Sequence, residues 1–332
     1  MPKLDITIAG EINLDLILYG LPEQMPTERE LLASGFAITL GSSSAILAHN
    51  LASLGSRVGF LTKFGDDCFG ALAIERLRER GVDLTSVVHG VKSGVTLILP
   101  HETQRHILTF PGTIAELRFK DLDLPYLASS RHFHMSSLFL QSGLRADVPE
   151  LFRRMKSAGL TTSLDTNDDP DDRWDGVLEE ILPHVDILLP NEREAMKISH
   201  SGDLETALSR LAEKVKTVVV KMGARGAVAI QDGRRFSAPA VPVAVIDPIG
   251  AGDSFDAGFL HQFLSGANIT SCLTYGNLCG ALSTTDYGGT EAFRDPARIQ
   301  EFLRKYRTSN RRTLLLASPP GSNRRRDKRS LS

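Results

Sequence analysis

The chain has no Gly-Lys dipeptide anywhere in its 332 residues, and so no Walker A loop, in which a lysine behind glycines reaches nucleotide phosphates. No G-x-G-x-x-G follows a strand-like run, which removes the dinucleotide fingerprint, and the serine-hydrolase elbow G-x-S-x-G is missing too. Cysteine is scarce: Cys68, Cys272 and Cys279 are too few and too scattered for a disulfide framework or a zinc site. No run of about 18 apolar residues exists, so no membrane-spanning helix is expected. The opening MPKLDITIAG lacks a secretory layout, because Asp5 interrupts it and ITIAG reads as a buried strand. Together these absences favour a cytoplasmic enzyme.

Charge is unevenly spread. From Arg304 onward there are ten Lys/Arg against one acid, Asp327, so that end carries +9 and residues 1–303 carry −11. An acidic body argues against nucleic acid as the main partner. The end SPPGSNRRRDKRSLS has little to bury and reads as a disordered, solvated tail over 304–332.

For most of residues 1–303, short β-rich runs alternate with amphipathic ones, the pattern of a mostly parallel α/β sheet. Expected strands are 6–9, 58–62, 132–136, 161–165, 187–190, 217–221 and 228–231. Expected helices are 44–54, 70–80, 148–158, 193–197, 204–214, 253–264 and 269–282. Gly55, Gly81, Gly159 and Gly266 stand just past helical runs, where a left-handed residue ends a helix. Residues 12–40 and 93–110 break the alternation. They read as a small β-sheet projecting as a lid, with a hairpin turn around His101–Gln104. Its exposed edges suit a homodimer paired through the lid.

Two stretches have a metal-like pattern. DTNDDPDDRWDG, from Asp165, imitates a calcium loop at its first, third and fifth positions. It has Pro170 where a glycine turn is needed and Gly176 where a bidentate Glu is needed. His132 and His134 share one face of a strand, and read better as buried, hydrogen-bonded histidines than as ligands.

The stretch DPIGAGDSFDAGFL (247–260) carries the chemistry. VPVAVID before it is strand-like, and Phe255, Phe259, Leu260 and Phe263 form a core-facing helical stripe after it. Gly250, Ala251 and Gly252 leave backbone N–H groups accessible at a helix start, a natural anion hole for a phosphoryl group. Asp253 follows directly, placed to accept a proton late from a hydroxyl that bond formation to phosphorus has made acidic. A role for Asp253 as a first-turn helix residue explains the acid but not the three small residues before it.

This stretch closely resembles the second signature of the ribokinase-like (PfkB) carbohydrate kinases, D-[TP]-x-G-A-G-D followed by x-F-x-x-G. The likeness extends over roughly residues 4–303. It implies a three-layer α/β/α sandwich with a β-lid, and transfer of the γ-phosphoryl of ATP to a sugar hydroxyl with Mg²⁺. AGEINLDLI is similar to the family's G-x-x-N-x-D, which carries substrate contacts to Asn13 and Asp15. In TKFGDDCFG, Gly65, Asp67 and Gly70 look structural. LLPNEREA matches N-x-x-E at Asn191 and Glu194, which in the family organises Mg²⁺ and phosphates through water. VVVKMGARGAVA resembles the nucleotide loop, with Lys221, Gly223 and Gly226, and Asn277 stands where the family often has an adenine-side contact. TTDYGGTEAF resembles the loop that binds a monovalent cation, K⁺, with Asp247 and here the Gly288 carbonyl.

The family's first signature begins Gly-Gly with an Asn five residues after the first Gly. This chain has GSSSAILAHNLASLG: Gly41 is kept, Ser42 replaces the second Gly and Ile46 replaces the Asn. Ser42, Ser43 and Ser44 are either donors to a polyol or an N-cap cluster. Asp165 and Asn167, at a strand end, resemble the family's D-x-N segment and are placed to meet phosphate or substrate. The leading expectation is a kinase acting on a primary hydroxyl of a sugar or sugar-like molecule. The alternatives are a nucleoside kinase, for which Phe36, Phe110 and Phe139 could stack on the acceptor, and a catalytically silent sugar-binding regulator.

Overall fold

The computed structural model describes residues 4–316 apart from 102, 103 and 175, with side chains through Tyr306. Eight strands form the main sheet in the spatial order Arg234–Ala238, Ala227–Gln231, Thr217–Lys221, Ile187–Leu188, Thr161–Asp165, His132–Ser136, Ile6–Ala9 and Val58–Leu61. From Thr217–Lys221 to Val58–Leu61 all neighbours are parallel; the other two strands add as antiparallel hairpin arms. Runs such as ITIA and HFHMS are buried at every position, as parallel strands covered on both faces must be.

One apolar layer packs Phe133, Phe152 and Trp174 with the helices Val148–Ser157 and Leu204–Ala212. The layer on the other face packs Phe60, Phe255 and Phe259 with the helices Ser43–Ser53, Ala251–Leu264 and Ile269–Ser283. This is the ribokinase-like three-layer sandwich. All four helix-ending glycines have positive φ, from 75 to 97°.

The lid is a separate four-stranded sheet in the order Gly35–Gly41, Asn13–Tyr19, Gly94–Pro100 and Arg105–Phe110. Its hairpin closes with His101 N–H donating to Gln104 O at 2.8 Å. The lid is anchored over the main sheet in two places. Ile17 and Ile98 pack against Ile249, and the Tyr19 hydroxyl donates to Asp247 Oδ2 at 3.0 Å.

Two elements differ from expectation. VPVAVID (241–247) is not a strand: it runs as irregular chain, and Val245 and Ile246 are exposed. Pro242 cannot donate to a ladder, and Arg234–Ala238 already ends the sheet. The basic end is also helical further than read, because the helix Pro296–Leu316 runs through Arg304; residues 317–332 lie outside the described residues.

His132 and His134 form a buried hydrogen-bonded string. His132 Nε2 and His134 Nδ1 share Ser163 Oγ, with Thr161 and Ser136 hydroxyls at the two ends, each contact 2.7 Å. Burial pushes both imidazoles down to about 3. Below pH 6.5 the unfolded chain therefore takes up protons that the folded one refuses. Stability falls with pH by up to about 1.4 kcal/mol per unit for each histidine. Removing one imidazole, as in His134→Asn, is expected to flatten the decline between pH 6.5 and 4, measured by urea unfolding across that window; an unchanged slope would contradict it.

Candidate active site

The helix Ala251–Leu264 begins on Gly250, which sits in the left-handed region at φ 71°. A Cβ there would lie 2.4 Å from Gly289 Cα, so both the conformation and the close approach require glycine. Ala251 N–H is spent on Pro248 O at 3.3 Å, whereas the N–H groups of Gly250, Gly252 and Asp253 have no acceptor among the described residues. The free amides are therefore those of 250, 252 and 253, not 250 to 252. Asn50 braces this loop, donating to Ser254 Oγ at 3.0 Å and Gly289 O at 2.9 Å. Ile46, at the Asn position of the first signature, packs against Gly289.

Asp253 is half-buried beside these amides. Burial raises its pKa and the charge of Asp165 raises it further, while Lys221, Ser43 and Asn167 favour the charged form. Asp253 also acts on Asp15 in the lid. Burial first, then the Asp253 charge, push Asp15 to about 7. The two aspartates, 238 positions apart in the chain, thus lie within electrostatic reach of each other.

The lid rim adds Asn13, Asp15, Gly41 and Ser42. A Cβ on Gly41 would stand 2.1 Å from Asp15 Oδ1 and 2.3 Å from Asn13 Oδ1, so glycine lets both side chains lie across the strand. Asn13 Nδ2 donates to Thr96 Oγ1 at 2.7 Å, and Thr96 meets Thr109 at 3.1 Å. The three serines divide their work. Ser42 Oγ donates to Asn13 Oδ1 at 3.0 Å, and Ser43 Oγ accepts from Asn167 Nδ2 at 2.9 Å; neither caps the helix.

Ser44 is instead held from below by Glu11, which takes its N–H at 3.1 Å and its hydroxyl at 2.6 Å. Burial pushes Glu11 to about 7 against those two donors. Glu11 was missed in the sequence although it lies inside AGEINLDLI. Ser42 itself has φ 65° and ψ 130°, a region that strongly favours glycine. Ser42→Gly is expected to gain about 1 kcal/mol by releasing strain, read as a higher urea midpoint, at the cost of the bond to Asn13. A midpoint at or below the parent's would refute the strain.

Behind these free amides lies a buried charge cluster. Lys221 Nζ donates to Asp165 Oδ2 at 2.7 Å and to Asp256 Oδ2 at 3.1 Å, and stands 3.7 Å from where a Cβ on Gly252 would be. Asp256 is raised well above the usual carboxylate range, by burial first, and its Oδ1 has no hydrogen-bond donor among the described residues. Asn191 and Glu194 form a capping box at the helix Glu192–Ile198: Glu194 N–H donates to Asn191 Oδ1 at 2.9 Å, and Asn191 N–H to Glu194 Oε2 at 2.8 Å. Burial, then the Asp165 charge, push Glu194 to about 7. A backbone bridge joins Asn191 to Lys221, so this box borders the cluster.

The remaining expected residues fall around this centre. Gly223 and Gly226 shape the turn after Lys221 with φ of 56° and 89°. Asn277 gives its Nδ2 to Ala238 O and Pro239 O, both at 3.0 Å. Asp247 accepts from Ile249 N–H at 2.9 Å, Gly288 N–H at 3.0 Å and the Tyr19 hydroxyl. Three donors thus engage the Asp247 carboxylate, and Gly288 meets it through its N–H. The three candidate stacking rings lie elsewhere. Phe36 and Phe110 are exposed on the lid face opposite Asn13 and Asp15, and Phe139 packs edge-on against Trp174.

A glycine-lined helix start with free amides, a carboxylate beside it and a polar lid face above it are the parts a carbohydrate kinase needs. The chain belongs to the pfkB family of carbohydrate kinases, whose model matches residues 3–296. It is 30% identical over 244 residues to an uncharacterized sugar kinase of Archaeoglobus fulgidus, covering 73% of this chain and 96% of that one. It is 26% identical to the 5-dehydro-2-deoxygluconokinase of Clostridium perfringens, covering 91% and 94%. Among solved structures, a protein assigned as ribokinase II from E. coli, in complex with ATP and Mg²⁺, superposes with a TM-score of 0.80 at 25% identity, covering 91% of this chain and 99% of that one.

Proposed function

We propose that this sugar kinase moves the γ-phosphoryl group of ATP to a primary hydroxyl held under the lid, with Asp253 as the base. The observation that carries the reading is the position of Asp253. It sits at the free-amide start of its helix and within electrostatic reach of Asp15, which lies across Gly41 from Asn13. Asn13, Asp15 and Ser42 orient the acceptor. The amides of Gly250, Gly252 and Asp253 receive charge that spreads over the phosphoryl oxygens as it moves. Asp253 takes the hydroxyl proton late in bond formation, and its raised pKa suits it to that task. The lid keeps water from competing for the phosphoryl group.

No group of three His, Cys, Asp or Glu that could hold a metal by protein ligands alone occurs among the described residues. Glu194, raised by burial and then by the Asp165 charge, would hold a hydrated Mg²⁺ carried by the nucleotide phosphates, which would supply charge neutralisation there. Lys221, Gly223, Gly226 and Asn277 border the nucleotide. The misplaced aromatic rings disfavour a nucleoside acceptor, and an intact Asp253 with Asn191 and Glu194 disfavours a silent regulator. The exposed Phe36, Leu108 and Phe110 on the outer lid face support a homodimer, which light scattering tests. No helix among the described residues is long and apolar enough to cross a membrane, and the scarcity of cysteine supports a cytoplasmic setting. The test is ADP release with ATP, Mg²⁺ and a broad panel of sugars. Turnover that yields a sugar phosphate is expected; ATP binding without ADP release on any sugar would overturn the reading.

A further inference from the structure

We propose that Arg105 binds a negatively charged group on the phosphate acceptor, so that the favoured sugar carries a carboxylate or a phosphate of its own. The inference rests on the kinase reading above and narrows its substrate class.

Strand register fixes which face of the lid Arg105 shares. Asp15 lies opposite Thr96, and Thr96 opposite Thr109; Ile17 lies opposite Ile98, and Ile98 opposite Ile107. Side chains two residues apart on a strand share a face, so Arg105, two before Ile107, belongs to the row of Asp15 and Thr109. Hydrogen bonds among Asn13, Thr96 and Thr109 confirm that row, and Ile17 and Ile98 turn it toward the glycine loop. Arg105 thus stands on the inner, acceptor-facing side of the lid, on its edge strand. Its guanidinium also comes within electrostatic reach of the Asp15 carboxyl, whose pKa it lowers while Asp253 and Asp247 raise it.

The charges acting on this space are otherwise acidic: Asp15, Asp247 and Asp253. The nearby lysine, Lys221, is committed to Asp165 and Asp256. No acidic side chain forms an ion pair with Arg105 among the described residues. A guanidinium with no ion-pair partner among the described residues, at the rim of an acidic, lid-covered cleft, is suited to one kind of ligand group. It presents a planar fork that takes a carboxylate or a phosphate through two parallel hydrogen bonds. A neutral polyol would leave that charge unused and gain nothing from it. The acidic cleft would meanwhile repel an anionic acceptor that lacked such a contact, so Arg105 also decides which anionic sugars enter.

The test uses the full-length protein with ATP and Mg²⁺ and three acceptor arms: neutral sugars, sugar acids such as gluconate, and sugar monophosphates such as glucose 1-phosphate. Each anionic acceptor is compared with its neutral parent. The expected result is a kcat/KM at least about tenfold higher for the best anionic acceptor than for its parent, arising in KM, and falling as ionic strength rises. Which anionic arm wins separates carboxylate from phosphate. In Arg105→Met the preference is expected to fall toward unity, and Arg105→Lys is expected to keep part of it, because a point charge replaces the fork. Equal or better use of neutral sugars by the parent enzyme, or a preference that survives in Arg105→Met, overturns the inference and leaves the kinase reading standing. Absence of ADP release in all three arms overturns both.

Discussion

Replacing Asp253 with asparagine is expected to lower kcat by about 10³- to 10⁴-fold, the range that a lost general base and its electrostatic setting account for. The amide has the shape of the carboxyl and leaves the backbone N–H groups of Gly250 and Gly252 in place. The KM for ATP is therefore expected to stay within about threefold, because a group that acts only on the transition state does not report in ground-state binding. Stability is expected to move the other way. Asp253 ionises against burial and the charge of Asp165, so a neutral residue relieves the folded state at neutral pH. Lower turnover with a raised melting temperature distinguishes a lost base from a damaged fold. The acid limb of kcat/KM in the parent enzyme is also expected to lie above the ordinary carboxylate range, since activity needs the ionised form of a group whose pKa is raised. Near-normal turnover in Asp253→Asn would refute the assignment.

The parts of the molecule legible in the sequence are those where local chemistry and tertiary context agree. Strands such as Ile6–Ala9, Thr161–Asp165 and Thr217–Lys221 are buried on both faces, so a short apolar or β-branched run with a glycine or turn at its end sufficed. The hairpin arm Arg234–Ala238 was missed because RRFSA has no apolar period. The Asp232–Gly233 turn before it, with φ of 49° and 72°, was the available signal. VPVAVID misled in the opposite sense: it alternates, but Pro242 cannot donate to a ladder and the segment is held outside the sheet, with Ile246 N–H donating to Thr284 O at 2.7 Å.

At the site, contiguous motifs were readable and contacts made across the fold were not. Glu11 under Ser44, Asn50 between Ser254 and Gly289, and Asp256 against Lys221 each depend on residues 33 to 239 positions away. The serine cluster shows why its two sequence readings were equal. Ser42 and Ser43 point to polar partners in the site, while helix capping passes to Glu11, a residue outside the cluster.

The cluster around Lys221 is where a single substitution should cost most stability. Lys221 is 12% exposed, and Asp165 and Asp256 are 1% exposed each, so none of the three charges is well solvated. Against its burial, the Lys221 charge holds Asp165 below the usual carboxylate range, while burial holds Asp256 well above it, so Lys221 pairs chiefly with Asp165. Lys221→Met removes the cation and strands a buried carboxylate, and is expected to cost about 3–5 kcal/mol in urea unfolding. Asp256→Asn removes a carboxyl whose ionised form burial disfavours and is expected to cost less than about 1 kcal/mol. Adding Asp165→Asn to Lys221→Met removes the stranded charge, and part of the lost stability should return. Turnover should fall in Lys221→Met as well, because the ammonium backs the Gly252 end of the anion hole and its loss changes the field on the phosphoryl group. A Lys221→Met protein within about 1 kcal/mol of the parent, or an Asp256→Asn protein destabilised as strongly as Lys221→Met, would show that Lys221 and Asp165 are not the dominant pair of the cluster.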